Sequence, residues 1–130
     1  MAQEDLARRK ATRILVADDN RDAAESLATL LEFHGYQVQF VHDGESALQA
    51  LESFRPDVAL LDIGMPKLDG YEVARRARQA SWGAKSKLIA LTGWGHDQDR
   101  RDALAAGFDR HFVKPVDIEE LLAYLQSSPD

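Results

Sequence analysis

The fold is decided at Arg13-Ile14-Leu15-Val16-Ala17-Asp18-Asp19-Asn20, where a short apolar run leads directly into three polar residues. The run has no polar alternation inside it, which is typical of a strand that is buried on both faces. Strands of this kind occur in parallel sheets, where helices cover both sides of the sheet. We therefore expect the polar residues that follow the run to lie at one edge of a sheet.

The same order, an apolar run and then a segment of helical periodicity, occurs five times along the chain. The predicted strands cover residues 13–17, 36–41, 58–61, 87–91 and 111–113. The second run alternates partly between apolar and polar residues, which indicates an edge strand. Repeated strand-helix alternation predicts an α/β protein with a doubly wound parallel sheet, and right-handed crossovers are then nearly obligatory.

Composition limits the class of protein further. The chain has 130 residues, which suits one domain, and its net charge of −6 disfavours direct binding to nucleic acid. It contains no cysteine, so a disulfide framework, a thiolate zinc site and cysteine catalysis are excluded, and a cytoplasmic location is favoured. We find neither a signal peptide nor an apolar run of membrane-spanning length. Residues 1–11 are predicted to be a polar tail or linker, and residues 12–128 the domain.

Residues that carry chemistry follow four of the predicted strands. Strand one ends at Asp18 and Asp19, strand three at Asp62, strand four at Thr92 and strand five at Lys114. Ligands of open α/β sheets bind beyond the carboxyl ends of the strands, so these side chains are expected to converge. Three close carboxylates repel one another unless a cation lies between them. Ligands that are all oxygen favour Mg²⁺ first, with Mn²⁺ or Ca²⁺ as alternatives.

The combination of carboxylates, a hard cation, an ammonium and a hydroxyl is typical of phosphoryl transfer with a carboxylate as the nucleophile. The segments that carry this combination resemble the receiver domain of two-component response regulators over residues 12–128. The matching motifs are Ile14-Leu15-Val16-Ala17-Asp18-Asp19-Asn20, Leu61-Asp62-Ile63-Gly64-Met65-Pro66 with Asp69-Gly70, Leu91-Thr92-Gly93, and Lys114-Pro115. The resemblance implies a single flavodoxin-like (βα)5 domain with strand order 2-1-3-4-5.

The resemblance also implies a metal site and a phosphoacceptor. Asp62 would take a phosphoryl group from a phosphohistidine on a histidine kinase or a histidine phosphotransfer protein. Asp19 would bind Mg²⁺ directly and Asp18 mainly through water. The backbone carbonyl of Gly64 would be a further ligand.

Other roles implied by the resemblance concern the phosphoryl group. Lys114 would contact one phosphoryl oxygen, and the hydroxyl of Thr92 another once the domain is phosphorylated. The backbone amides of Ile63 and Gly93 would help to bind it, and the Lys114-Pro115 bond would be cis. Phosphorylation would then rearrange the region around the fourth strand, the fourth helix and the fifth strand, which meets a downstream target.

Three positions bear on the switch and on the lifetime of the phosphoryl group. His111 stands where the family usually has Tyr or Phe, and it is either a partly exposed strand residue or a titratable switch. Trp94 is either a surface aromatic or a shelter that lengthens the phosphoryl lifetime. Gly64 stands where phosphatases of the haloacid dehalogenase type carry a second Asp. We therefore expect slow self-hydrolysis and no turnover enzyme.

Alternatives of a different class remain open from the sequence. The same fold also serves as a pseudo-receiver that takes no phosphate, or as a flavin-binding module. The intact set of acidic, hydroxyl and ammonium side chains argues against the first, and the lack of a Ser/Thr/Gly-rich phosphate loop after strand one argues against the second. The chain is either a stand-alone receiver or the receiver of a hybrid histidine kinase.

Overall fold

Five strands alternate with five helices in the computed structural model, which describes residues 12–80, 86–93 and 97–127. The strands are β1 (Arg13–Ala17), β2 (Gln37–Val41), β3 (Val58–Asp62), β4 (Lys87–Thr92) and β5 (Arg110–Val113). The helices are α1 (Arg21–Phe33), α2 (Gly44–Phe54), α3 (Gly70–Gln79), α4 (Asp97–Ala106) and α5 (Ile118–Ser127). Within the described ranges, none of the helices has the length and apolar character needed to span a bilayer. The tail predicted at 1–11 lies outside the described residues.

All strand pairs in the sheet are parallel, and the strand order is β2-β1-β3-β4-β5. This order confirms the predicted flavodoxin-like topology, and β2 lies at an edge as its alternation predicted. The strand ends differ from the predicted ones by one residue at most: Asp62 and Thr92 are the last residues of their strands instead of the first residues after them. The register pairs Asp62 with Leu91 and Thr92 with Val113, so the carboxyl ends of β3, β4 and β5 lie side by side.

The core consists of two apolar layers, one on each face of the sheet. One layer combines alternate residues of the central strands with α2, α3 and α4, and the other combines the remaining strand residues with α1 and α5. Ile14 to Ala17 are fully buried, which agrees with the unbroken apolar run. A backbone buried on both faces is rigid, so the side chains at its carboxyl end are held in fixed positions.

Each helix follows the carboxyl end of a strand, and α1, α2 and α3 each have a polar side chain as N-cap. Asn20 accepts a hydrogen bond from a first-turn amide of α1, and Asp43 and Asp69 do the same for α2 and α3. Such caps satisfy backbone donors that have no partner within the helix. They also fix where each loop turns back, and these loops surround the acidic side chains at the strand ends.

The basic run on α3 is only partly the solvated face that its mixed charge indicates. Arg75 and Arg76 are exposed and pair with Glu72 on the same helix. Arg78 differs, because it donates to two backbone carbonyls and forms an ion pair of 2.7 Å with Asp109. Its guanidinium therefore ties α3 to the start of β4 and to the turn after α4. The mixture of basic and acidic residues on this helix is typical of a solvated face, but that interpretation does not describe Arg78.

Candidate functional site

Three carboxylates meet at the carboxyl edge of the sheet. Asp18 and Asp19 follow β1, and Asp62 ends the neighbouring strand β3. One carboxylate oxygen from each lies within 4.8 Å of the others. Asp18 and Asp62 are buried, with 4% and 6% of their surface exposed, whereas Asp19 is exposed. The structure thus brings together the three acidic residues that the sequence predicted.

Lys114 bridges the two buried carboxylates. Its Nζ lies 3.1 Å from Oδ2 of Asp18 and 3.0 Å from Oδ2 of Asp62. The backbone amide of Lys114 donates to the carbonyl of Thr92 at 2.7 Å, which continues the pairing of β5 with β4 past the end of the strand. The Lys114-Pro115 peptide bond is cis, as the resemblance implied. The sheet itself therefore directs this ammonium into the acidic site.

Each buried carboxylate also accepts a hydrogen bond from a backbone amide through Oδ1, the oxygen that does not contact Lys114. The amide of Asn20 donates to Oδ1 of Asp18 at 3.0 Å, and the amide of Gly64 donates to Oδ1 of Asp62 at 3.0 Å. Charge-assisted bonds of this kind are stronger than bonds between neutral groups. Both carboxylates are consequently fixed in orientation as well as in position.

The surroundings shift the pKa values of the two buried acids in opposite directions. Burial raises the pKa of Asp18, the negative charge of Asp62 adds to this effect, and the Asn20 amide and Lys114 oppose it without cancelling it. Burial also acts to raise the pKa of Asp62, but the hydrogen bond from Gly64 and the contact with Lys114 outweigh it, so that this pKa is lowered. For Lys114, burial is outweighed by the two carboxylates, and its pKa is raised. Asp62 is therefore the buried acid that is better stabilised as an anion.

The donor set suits a hard divalent cation. Among the described residues, these three carboxylates are the group that could hold a metal ion, and every donor atom in the group is oxygen. Three carboxylates and one ammonium leave two negative charges at this edge, which one divalent cation would neutralise. Oxygen ligands and a need for charge neutralisation fit Mg²⁺, with Mn²⁺ as an alternative. The residues present therefore fit the ion that the sequence predicted.

The residues expected to bind a phosphoryl group differ from one another in burial and in their hydrogen bonds. Thr92 is fully buried at the end of β4, whereas Gly93 is exposed and has open space on the side where a Cβ would lie. The amide of Ile63 donates to the carbonyl of Leu91 at 3.2 Å. Its predicted bond to a phosphoryl oxygen would compete with this sheet bond. The contact found for Gly64 is made by its amide, and the role of its carbonyl as a metal ligand stays a prediction.

His111 lies on β5 opposite Ala90 of β4, and a cavity of about 510 Å³ lies beside it. Its Nε2 atom is buried and has no hydrogen-bond partner in the part of the chain that the structure describes. Burial lowers the pKa of this imidazole, and Arg100 and Arg110 act in the same direction while Asp99 opposes them. As a whole residue His111 is partly exposed on its strand, as one interpretation expected, although its Nε2 atom is occluded. Its role as a switch stays a prediction. Trp94 lies outside the described residues.

Sequence reasoning missed two contacts of Asp18. The sequence indicated only a loop position for His42, yet its Nδ1 lies 3.1 Å from the backbone carbonyl of Asp18. The backbone amide of Asn20 donates to the Asp18 carboxylate, and the side-chain oxygen of Asn20 caps α1. An Asn in front of a helical segment is a recognisable N-cap signal, whereas the contact of His42 joins two loops and leaves no local pattern.

Comparison with known proteins agrees with this geometry. The sequence pattern of the family described as response regulator receiver domain matches residues 14–126. Response regulator MprA of Mycobacterium ulcerans is 44% identical over 115 residues, which cover 88% of this chain and 49% of that protein. MprA of Mycobacterium avium is also 44% identical, with 88% of this chain and 50% of the relative covered. The chain thus spans about half the length of the curated relatives it matches.

Solved structures show the same similarity. The receiver domain of a sensor histidine kinase from Pseudomonas aeruginosa, described with a magnesium ion coordinated in its active-site cleft, is 35% identical with a TM-score of 0.81, and 88% of this chain and 94% of that chain are covered. Chemotaxis response regulator CheY4 of Vibrio cholerae is 29% identical with a TM-score of 0.83, and the covered shares are 88% and 96%. With residues 14–126 matched, the chain belongs to the response regulator receiver domain family of two-component signalling.

Proposed function

We propose that this domain receives a phosphoryl group on Asp62 in a reaction that depends on Mg²⁺, and that phosphorylation switches the surface it presents to a partner. The observation that carries the proposal is the placement of Lys114, whose ammonium bridges Asp62 and Asp18 at 3.0 and 3.1 Å. An ammonium held beside a nucleophilic carboxylate is placed to meet the oxygens of an incoming phosphoryl group.

The step proposed is nucleophilic attack by a carboxylate oxygen of Asp62 on the phosphorus of a phosphohistidine. A new P–O bond forms, the P–N bond breaks, and the imidazole leaves with the bonding electron pair and takes up a proton. The lowered pKa keeps Asp62 ionised, and therefore nucleophilic, at neutral pH. When bound by Asp18, Asp19 and Asp62, with the Gly64 carbonyl as a further ligand, Mg²⁺ supplies neutralisation of negative charge on the carboxylates and the phosphoryl oxygens.

Other residues of the chain hold the transferred group. Lys114 donates to one phosphoryl oxygen, and the hydroxyl of Thr92, which lies on the adjoining strand, donates to another. Gly93 is exposed and the space where a Cβ would lie is open, which supports the approach of a phosphoryl oxygen to this stretch of backbone. Movement of Thr92 toward the phosphoryl group would transmit the change to β4 and α4.

The phosphorylated domain is proposed to act as a persistent signal and not as a turnover enzyme. Phosphatases of the haloacid dehalogenase type carry a second acid two residues after the phosphorylated Asp, and Gly64 occupies that position here. Its amide instead binds the Asp62 carboxylate at 3.0 Å. Water attack on the acyl phosphate then lacks a general base from this position.

The phosphodonor proposed is a histidine kinase or a histidine phosphotransfer protein of the cytoplasm. Support comes from the relatives, which are described as response regulators and as the receiver of a sensor histidine kinase. Neither kind of relative has a name that specifies a downstream target. The chain fits either a response regulator or the receiver of a hybrid kinase, and the chemistry at Asp62 is the same in both.

The proposal is tested with acetyl phosphate as a small phosphodonor and intact mass as the readout. We expect a single phosphate adduct in the presence of Mg²⁺, none when EDTA replaces Mg²⁺, and loss of the adduct on treatment with hydroxylamine, which cleaves acyl phosphates. An adduct that forms equally well with EDTA would contradict the metal dependence. The absence of any adduct would favour a pseudo-receiver or another binding module on this fold.

His111 is proposed to change its surroundings when Asp62 is phosphorylated. Its Nε2 is occluded and has no hydrogen-bond partner among the described residues, and a cavity lies beside it. These features support the proposal, because a buried unpaired polar atom is unfavourable and there is space for the ring to move. We expect a pKa below 6.5 in the unphosphorylated domain and a different pKa with beryllofluoride bound as a phosphoryl mimic, both measured by NMR titration of the imidazole. Equal pKa values in the two states would contradict the role. His111→Tyr and His111→Ala then show whether partner affinity depends on this side chain.

A further inference from the structure

The first turn of α2 lies against the loop that follows the phosphoacceptor. This loop, residues 63–69, is called the β3–α3 loop below. A Cβ placed on Gly44 would overlap the carbonyl oxygen of Leu68 and would lie 2.5 Å from the Cβ and 2.6 Å from the carbonyl carbon of the same residue. Real Cβ atoms do not approach other atoms this closely, and the overlap involves backbone, which cannot swing away as the end of a side chain does. Gly44 begins an ordinary helical turn. The reason for glycine here is therefore the close approach of the loop.

Two further contacts attach the β3–α3 loop to this turn. The amide of Gly44 donates to the carbonyl of Pro66 at 3.2 Å, which uses one of the first-turn donors that a helix leaves without a partner. Asp43, the N-cap of α2, lies 3.8 Å from the ammonium of Lys67. Since Lys67 has a φ of 71°, the loop turns sharply at this point. The turn of α2 therefore contacts three consecutive residues of the loop, from Pro66 to Leu68.

The other end of the loop is fixed in the same manner. A Cβ on Gly70 would lie 2.7 Å from the Cα of Ile63 and 2.8 Å from the carbonyl oxygen of Asp62. The amide of Gly70 donates to the carbonyl of Ile63 at 3.2 Å. The segment between these contacts holds Gly64, whose amide binds the Asp62 carboxylate at 3.0 Å. A shift of the loop would therefore move the donor that orients the nucleophile.

We propose that Gly44 is a positioning residue for phosphoryl transfer, because it lets α2 hold the β3–α3 loop where the Gly64 backbone meets Asp62. The inference rests on the proposed phosphorylation of Asp62. Gly44 lies outside the acidic site, at the start of α2. The reaction requires a residue without a Cβ at this position. A displacement of about 1 Å in a group that orients a nucleophile lowers rates by about 100-fold in favourable cases.

The test compares Gly44→Ala with Ser53→Ala, an exposed position near the carboxyl end of the same helix. Both variants are checked for folding by circular dichroism and urea unfolding, and are phosphorylated with acetyl phosphate at saturating Mg²⁺. We expect the phosphorylation rate constant of folded Gly44→Ala to fall by about 10-fold or more, and its apparent dissociation constant for Mg²⁺ to rise. Ser53→Ala should match the unsubstituted chain. A Gly44→Ala variant that loses stability but retains the rate constant and the Mg²⁺ affinity would show a purely structural role and overturn the inference.

A measurement on the unsubstituted chain keeps the inference testable if Gly44→Ala does not fold. When the amide resonances are followed by NMR during titration with Mg²⁺, Gly44 should shift together with Gly64, because the loop connects them. A Gly44 resonance that stays in place while Gly64 shifts would overturn the inference. Failure of the proposed function looks different, since the unsubstituted chain would then take up no phosphate at all.

Discussion

Asp62→Asn is expected to take up no phosphate from acetyl phosphate in the presence of Mg²⁺. The amide of Asn is not a nucleophile toward phosphorus, although its oxygen still accepts the hydrogen bond that Gly64 donates to Oδ1. The measurement is intact mass after incubation. The matched control is Asp57→Asn, which changes the same kind of residue just before the opposite end of β3, where Asp57 binds the amide of Arg13 at 2.8 Å. An adduct on Asp62→Asn equal to that on the control would place the phosphoacceptor elsewhere.

The loss of phosphorylation in Asp62→Asn should not result from unfolding. Removing one of two buried carboxylates ends their mutual repulsion, and Lys114 keeps its ion pair with Asp18 at 3.1 Å. We therefore expect a free energy of unfolding within about 1 kcal/mol of the unsubstituted chain in urea at neutral pH. A larger loss would mean that the pair of Asp62 and Lys114 is needed for the fold itself.

The fold could be predicted from the sequence because its signals are local. The unbroken run Ile14 to Ala17 shows a strand that is buried on both faces, and the structure confirms it. The partial alternation of apolar and polar residues in β2 is also a local signal. It predicts an edge strand, and the structure places β2 at an edge of the sheet. Strand order is a different matter, since periodicity does not say which strands are neighbours. It followed from the resemblance of the motifs to a known family.

The candidate site was predictable in its members but not in its energetics. Parallel strands place their carboxyl ends at one edge, so Asp18, Asp62 and Lys114 were expected together, and the structure places them within ion-pair distance. The opposite pKa shifts of the two acids depend on how far the backbone amide and the ammonium at each carboxylate offset its burial, which no sequence pattern shows. The close approach of Gly44 to Leu68 joins residues distant in sequence, and no local pattern indicates it.

Lys114→Met is expected to lower the rate of phosphorylation by about 100-fold, because removing one preorganised hydrogen-bond donor from an active site lowers rates by roughly 100- to 1,000-fold. The variant keeps an unbranched side chain of similar length and loses the ammonium that contacts Asp18 and Asp62. The measurement is the time course of the phosphate adduct at saturating Mg²⁺. Lys87→Met, which changes a lysine at the opposite end of the sheet, is the control and should retain the rate of the unsubstituted chain.

Lys114→Met should also lose stability, and the size of the loss should depend on pH. In the unsubstituted chain the pKa of Asp62 is lowered, so its contribution to stability is present above 3.8 and is lost as the pH falls through the lowered value. Without the ammonium, Asp18 and Asp62 face each other as uncompensated anions, and the pKa of each rises. We expect a deficit of about 2 kcal/mol at pH 7, below the usual figure for a broken buried pair because Lys114 is partly exposed. Protonation of the carboxylates at lower pH should reduce this deficit, and Mg²⁺ at pH 7 should reduce it too. A deficit in urea unfolding that stays constant from pH 7 to pH 4 would show that Lys114 stabilises the fold by packing and not by its charge.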